Sequence, residues 1–262
     1  VYNNEMYHSF MHHGSFSDTD KDICLKKISE RYNKAADFIE NADMFLITFG
    51  SAYVYRLKPA VYKDKYEIVG NCHKFPSEMF ERTRLSVEEI VEEWRSLIML
   101  LKDVNPDVKF VFTVSPIRHW KDGAHENQIS KSILHLAIDR LISFFGDDLQ
   151  YFPAYEIMID ELRDYRFYED DMNHPTSFAV DYIWKLFSKA FFSDATLSIN
   201  KEWSQIRKSI NHKPLFPATN SYRNFLKQTV RSLNNFALKY PFISCENEID
   251  QISFILKSQD RD

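Results

Sequence analysis

Two short apolar runs constrain the fold more than any other feature. Met44-Phe45-Leu46-Ile47-Thr48-Phe49 stops at Gly50, and Val108–Val114 is closed by Ser115-Pro116. Both are strand-sized. The first is apolar on both sides of the pleat, the pattern of a parallel strand buried between two layers. Helical periods surround them. Ile23, Ile28, Tyr32, Ala35, Phe38 and Ile39 recur at helical spacing, with Asp18 or Ser17 placed to cap the first turn. Ser86 followed by Glu89 forms a capping box ahead of Val87, Ile90, Val91, Trp94, Leu97, Ile98 and Leu101, and Asn105-Pro106 ends that helix. A third period carries Ile129, Ile133, Leu136, Ala137, Leu141, Ile142 and Phe145. Leu149–Phe152 is a short third strand, Ile157–Leu162 a short helix, and Pro175 opens another helix. Between the first strand and the capping box, Tyr53–Leu57 and Tyr66–Val69 flank polar Lys58–Lys65 and read as a hairpin excursion. Helices alternating with strands call for an α/β fold with a parallel sheet.

The chain's 262 residues, 44% of them apolar, suffice for a full core without disulfides or a structural metal. A net charge of −5, from 33 basic and 38 acidic residues, argues against nucleic acid as the main partner. No apolar run approaches the roughly 18 residues that a membrane-spanning helix needs. Cys24, Cys72 and Cys245 are few, odd in number and far apart, which fits a reduced cytoplasm better than a disulfide framework. Strands stop after Phe192. The expected division is therefore an α/β domain over 1–192, a helical extension over 193–240 containing Thr196–Asn211 and Ser221–Leu238, and an undecided tail over 241–262 that is a candidate for disorder.

In open α/β sheets ligands bind beyond the carboxyl ends of the strands. That places weight on Gly50-Ser51, on Ser115 through His119, and on the loop running to His174. No Walker loop, GxGxxG or Gly-x-Ser-x-Gly elbow occurs. The sharpest local feature is Asp171-Met172-Asn173-His174-Pro175. Pro175 suits a first helical position and holds His174 extended. Asp171, three residues earlier, can accept from one imidazole nitrogen and leave the other free as a general base. The same spacing also serves a plain helix cap. Ser115, ahead of proline, reads as a turn residue. Arg118 and His119 are placed to meet a substrate carboxylate or acyl oxygen, or equally to anchor their loop through salt bridges. His8, His12 and His13 lack the fixed geometry of a metal site. Asn71 and His73 either enter the pocket from the hairpin or are merely solvated.

Longer ordered motifs add a resemblance. His8-Ser9-Phe10-Met11-His12-His13, then Ile47 through Tyr55, then Gly70-Asn71-Cys72-His73-Lys74 come in that order. Ser115 through Gly123 follows, with Asn127 and Ser130-Lys131, then Tyr155 through Tyr168 and Asp171 through Pro175. In these the chain resembles the bacterial GSCFA family, a branch of the SGNH (GDSL-like) hydrolases, from residue 1 to about 192 and onward through the C-terminal helices. The resemblance implies a flavodoxin-like three-layer α/β/α sandwich and ester hydrolysis or acyl transfer without a cofactor or metal. A serine would attack, His174 would act as its base, and Asp171 would orient His174. The implied substrate is a small-molecule or glycan acyl ester.

The chain departs from the pattern twice. The Gly-Ser-Cys-Phe-Ala motif that would carry the serine does not occur, so at least one βα unit is expected upstream and this stretch alone should be inactive. Where many SGNH enzymes place an oxyanion asparagine after the central strand, this chain has Ala52. The Gly50 and Ser51 amides, and Asn71, are then the candidate donors. The alternative is a non-catalytic binding module that keeps the pocket. A metal-dependent hydrolase using His174 and the N-terminal histidines is a third option.

Overall fold

The computed structural model describes residues 1–59 and 67–258. It divides into two compact units, Val1–Ile183 and Trp184–Asp262.

The first unit opens with a small antiparallel hairpin, β1 (Tyr2–Asn3) and β2 (Met6–Tyr7), followed by helix α1 (Lys21–Glu40). The cap of α1 is Asp20, whose carboxylate accepts from the Asp22 and Ile23 amides. The sequence pointed to Asp18 or Ser17. Asp18 is engaged elsewhere, bridging Tyr7 and pairing with Lys27 at 2.7 Å. Strand β3 (Met44–Phe49) leads into β4 (Tyr53–Leu57) and β5 (Glu67–Val69), the expected hairpin. Tyr66 and most of Lys58–Lys65 lie outside the described residues. A further strand, β6 (Phe80–Arg84), pairs with the other edge of β4. Its charged sequence hid it. Its arginines tie it to the next layer: Arg82 pairs with Asp122 at 2.7 Å, and Arg84 pairs with Glu126.

Helix α2 (Val87–Val104) carries the capping box in full, with Glu89 N–H donating to Ser86 Oγ and Ser86 N–H to the Glu89 carboxylate. Then come β7 (Lys109–Val114), α3 (Ala124–Phe145) and β8 (Leu149–Tyr151). The main sheet is parallel with strand order β3-β7-β8. Phe110, Phe112 and Val114 of β7 are buried in one cluster with Ile90, Val91 and Ile98 of α2 and Leu134, Ala137, Ile138 and Leu141 of α3. Val111 is buried on the opposite face of the strand. Beyond β8, α4 (Ala154–Glu156) continues into a π turn over Ile157–Glu161, one turn longer than the sequence suggested.

β3 corrects an expectation. It is parallel, but buried on one face only. Phe45, Ile47 and Phe49 pack on the cluster, whereas Met44 and Leu46 are exposed, Leu46 by 61%. Its second edge pairs with no strand among the described residues. α1 is open as well: Cys24 is its one buried residue, and Tyr32 and Phe38 of its apolar stripe stand 72% and 70% exposed.

Helix α5 (Ser177–Phe191) carries the chain out of the first unit. In the second unit, α6 (Asp194–Ile210) and α7 (Asn220–Lys239) are capped by Ser193 and Thr219. The tail left undecided by the sequence forms α8 (Glu246–Ser258), whose Ile252 is buried with Leu226, Leu233, Phe236 and Cys245.

Candidate active site

The loop before α5 is built to hold a histidine. Tyr168 and Pro175 form an antiparallel bridge, Glu169 N–H donates to the His174 carbonyl at 2.8 Å, and Thr176 N–H donates to the Phe167 carbonyl at 2.9 Å. The short path between them turns through Met172, in the left-handed region at φ +58°. Asp171 sits inside this turn. One carboxylate oxygen accepts the Asn173 and His174 amides, each at 2.9 Å, and the other accepts His174 Nδ1. These three donors, the imidazole first, hold the Asp171 carboxyl down at about 2. An ionised carboxylate can only accept, so Nδ1 carries a ring proton and Nε2 is the nitrogen turned away from Asp171. Among the described residues Nε2 has no hydrogen-bond partner. Both side chains are open to solvent, 57% for His174 and 50% for Asp171.

Asn173 connects this loop to the sheet. Its side-chain oxygen accepts the Arg118 amide at 2.8 Å, which puts the histidine loop beside the segment leaving β7. Arg118 stacks over Trp120 and Tyr168, its guanidinium carbon 5.4 and 5.7 Å from the ring centres, and has no acidic partner among the described residues. Arg118 therefore does not anchor this loop by a salt bridge among the described residues; the loop's ion pair is Asp122 with Arg82 of β6. His119 gives its amide to Asn127 Oδ1 at 3.0 Å, and its ring reaches the Gly50 backbone. Burial, helped by the nearby Lys131 charge, pushes the His119 imidazole below its usual value. Ser115 Oγ accepts the Ile117 amide, so it serves the turn.

Three residues of α3 with no assigned role in the sequence reading organise both strand ends. Asn127, Ser130 and Lys131 are buried. Ser130 Oγ accepts the Ala52 amide at 2.8 Å and lies 3.3 Å from Ser51 Oγ, which in turn accepts the Tyr53 amide. Lys131 Nζ donates to the carbonyls of Gly50, at 2.7 Å, and Ser115, at 2.6 Å. Desolvation lowers its ammonium to about 8. A sequence signal for them exists. Asn127, Ser130 and Lys131 continue, at helical spacing, the stripe of Leu134, Ala137, Ile138 and Leu141, so polar residues occupy core-facing positions.

Gly50, Ser51, Arg118 and His119 thus gather at the carboxyl end of the sheet, with Asp171 and His174 joined to them through Asn173. Asn71 belongs to another cluster. Its side-chain oxygen accepts the His73 amide and its own amide donates to Phe10. His73 bonds the Ser9 carbonyl at 2.8 Å and stacks on His8. His8, His12 and His13 bond Ser17, Ser9 and Ser15. Among the described residues, no group of three His, Cys, Asp or Glu is gathered as a metal site, and no helix is long and apolar enough to cross a membrane.

Two family models match the chain. One, described as the GSCFA family, covers residues 1–187; the other, described as the GSCFA domain protein C-terminal domain, covers residues 203–257. No curated protein and no solved structure matches it.

Proposed function

The chain belongs to the GSCFA family, and on that premise we propose that it carries the base and oxyanion side of an SGNH-type serine hydrolase acting on acyl esters. The observation that carries the reading is the Asp171–His174 pair. Nδ1 of the ring is held by Asp171, with Nε2 free of partners among the described residues, at the carboxyl end of a parallel sheet. The proposed fold is the flavodoxin-like three-layer sandwich, of which β3-β7-β8 would be one side of the sheet.

The proposed nucleophile is a serine outside these residues, on a strand that pairs with the free edge of β3 and is covered by the open face of α1. Its carboxyl end would then lie beside Gly50-Ser51. His174 Nε2 takes the serine proton as Oγ attacks the ester carbon, and the carbonyl π pair moves onto oxygen. As the tetrahedral intermediate collapses, the same proton passes to the departing alkoxide and an acyl-serine remains. Water, activated by His174, then releases the acid. Arg118, with no acidic partner among the described residues, would receive a carboxylate or acyl oxygen of the substrate. O-acylated carbohydrates are a substrate class that suits this chemistry.

The test is covalent labelling of the complete natural polypeptide with a fluorophosphonate probe, beside His174→Ala and the 262-residue chain. Labelling of the complete protein alone supports the reading, and absence of labelling in a well-folded complete protein refutes it. A second reading, a binding module on the same pocket, is favoured by Ala52. Its methyl group, buried in the core, has no hydrogen to donate where an oxyanion asparagine is expected.

A further inference from the structure

Lys131 is the one charged residue wholly buried in the described structure. It has no acidic partner among the described residues. Its ammonium instead grips two main-chain carbonyls, Gly50 and Ser115, just past the ends of the neighbouring strands β3 and β7. A lysine is an expensive choice here, because an unpaired buried charge costs stability and an apolar side chain would continue the α3 stripe.

The consequence lies in the peptide between Gly50 and Ser51. Ser115 N–H donates to the Phe49 carbonyl at 2.8 Å, and continuation of the parallel ladder would pair the Ser51 amide with the Ser115 carbonyl. Lys131 occupies that carbonyl, and the Ser51 amide has no partner among the described residues. The described peptide bonds contain no cis linkage, and a trans peptide sets C=O and N–H in opposite directions. Drawing the Gly50 carbonyl toward Lys131 therefore turns the Ser51 N–H away from α3. A cation on the carbonyl also polarises the peptide and strengthens its N–H as a donor.

We infer that Lys131 is a positioning residue that fixes and polarises the Gly50–Ser51 peptide, so that the Ser51 N–H receives the oxyanion formed at the site. Its chemistry rests on the hydrolase reading; its geometry does not. The titratable groups facing Lys131 are His119, from the loop after β7, and His135, one turn along α3. Both are held low mainly by burial and in part by this charge.

Two measurements separate the inference from the reading beneath it. The first follows the Gly50 and Ser115 carbonyl carbon-13 shifts and the Ser51 amide nitrogen-15 shift, read by carbon detection, of the 262-residue chain through pH 7 to 10. All three are expected to move together, with a midpoint near the lowered lysine value of about 8, as the charge-assisted bonds weaken. Carbonyls and amide that stay still, or move independently, overturn the inference whether or not the protein is a hydrolase. The second compares hydrolysis of p-nitrophenyl acetate by the complete natural protein with its Lys131→Met and Lys131→Arg variants, His174→Ala serving as the control. For Lys131→Met, kcat should fall by about 100-fold or more while KM stays within about threefold. Wild-type kcat should decline above the lysine value, and Lys131→Arg should keep part of the activity without that decline. Unchanged kcat in a folded Lys131→Met variant overturns the inference. Turnover indifferent to His174→Ala overturns the hydrolase reading instead, and the carbon-13 titration still decides Lys131.

Discussion

Asp171 shows how much one carboxylate can arrange. It accepts two backbone amides and one imidazole nitrogen, and so shapes the turn and sets the tautomer of His174 together. Asparagine at 171 can donate to Nδ1, which favours the wrong tautomer. On the proposed serine mechanism, Asp171→Asn in the complete natural protein should lower kcat by about 10²–10⁴ with little change in KM, as in other histidine–aspartate pairs. The same residue predicts a pH effect on stability. Its folded value, about 2, lies below the ordinary carboxylate value. The stabilisation it gives is therefore complete above the ordinary value of about 3.9 and is lost as pH falls through the folded value. Urea melts should separate the native chain from Asp171→Asn at pH 7 and bring the two together near pH 2.

Elements here are decided partly by their ends and partly by their neighbours. α2 is legible because Ser86 and Glu89 close its first turn reciprocally. Ser86→Ala should cost about 1 kcal/mol of stability in a chemical melt, and no change there would mean the box is redundant with packing. β6 was not legible, because Phe80-Glu81-Arg82-Thr83-Arg84 has a strand's charge partners rather than a strand's composition. β3 was legible as a strand and misjudged in burial, since an apolar residue reads the same whether or not another layer covers it. That open edge carries its own prediction. Leu46 is exposed on a strand whose outer edge has no partner among the described residues, so Leu46→Lys should reduce self-association of the 262-residue chain in light scattering and leave its melting temperature nearly unchanged.

For the molecule as a whole, the sheet and the helices of the first unit enclose one core on one side of β3 and leave the other side open. A longer natural polypeptide that supplies a strand to that edge should be more soluble than the 262-residue chain and melt more cooperatively. Equal solubility and equal cooperativity of the two would count against the proposed additional strand. The second unit has its own buried cluster, with Leu233 fully enclosed, and matches a separate family description over 203–257.

Local chemistry is what the sequence determined by itself. Capping residues, the alternation of helical and strand periods, and the Asp171–His174 spacing act over a few residues along the chain, so they can be read in order. What Lys131 binds could be decided only by the tertiary structure. Its partners, the Gly50 and Ser115 carbonyls, are main-chain atoms with no side-chain signature, and they approach α3 only once β3 and β7 lie side by side. Backbone carbonyls look alike at every position in a sequence, and folding alone selects which of them meet a buried charge.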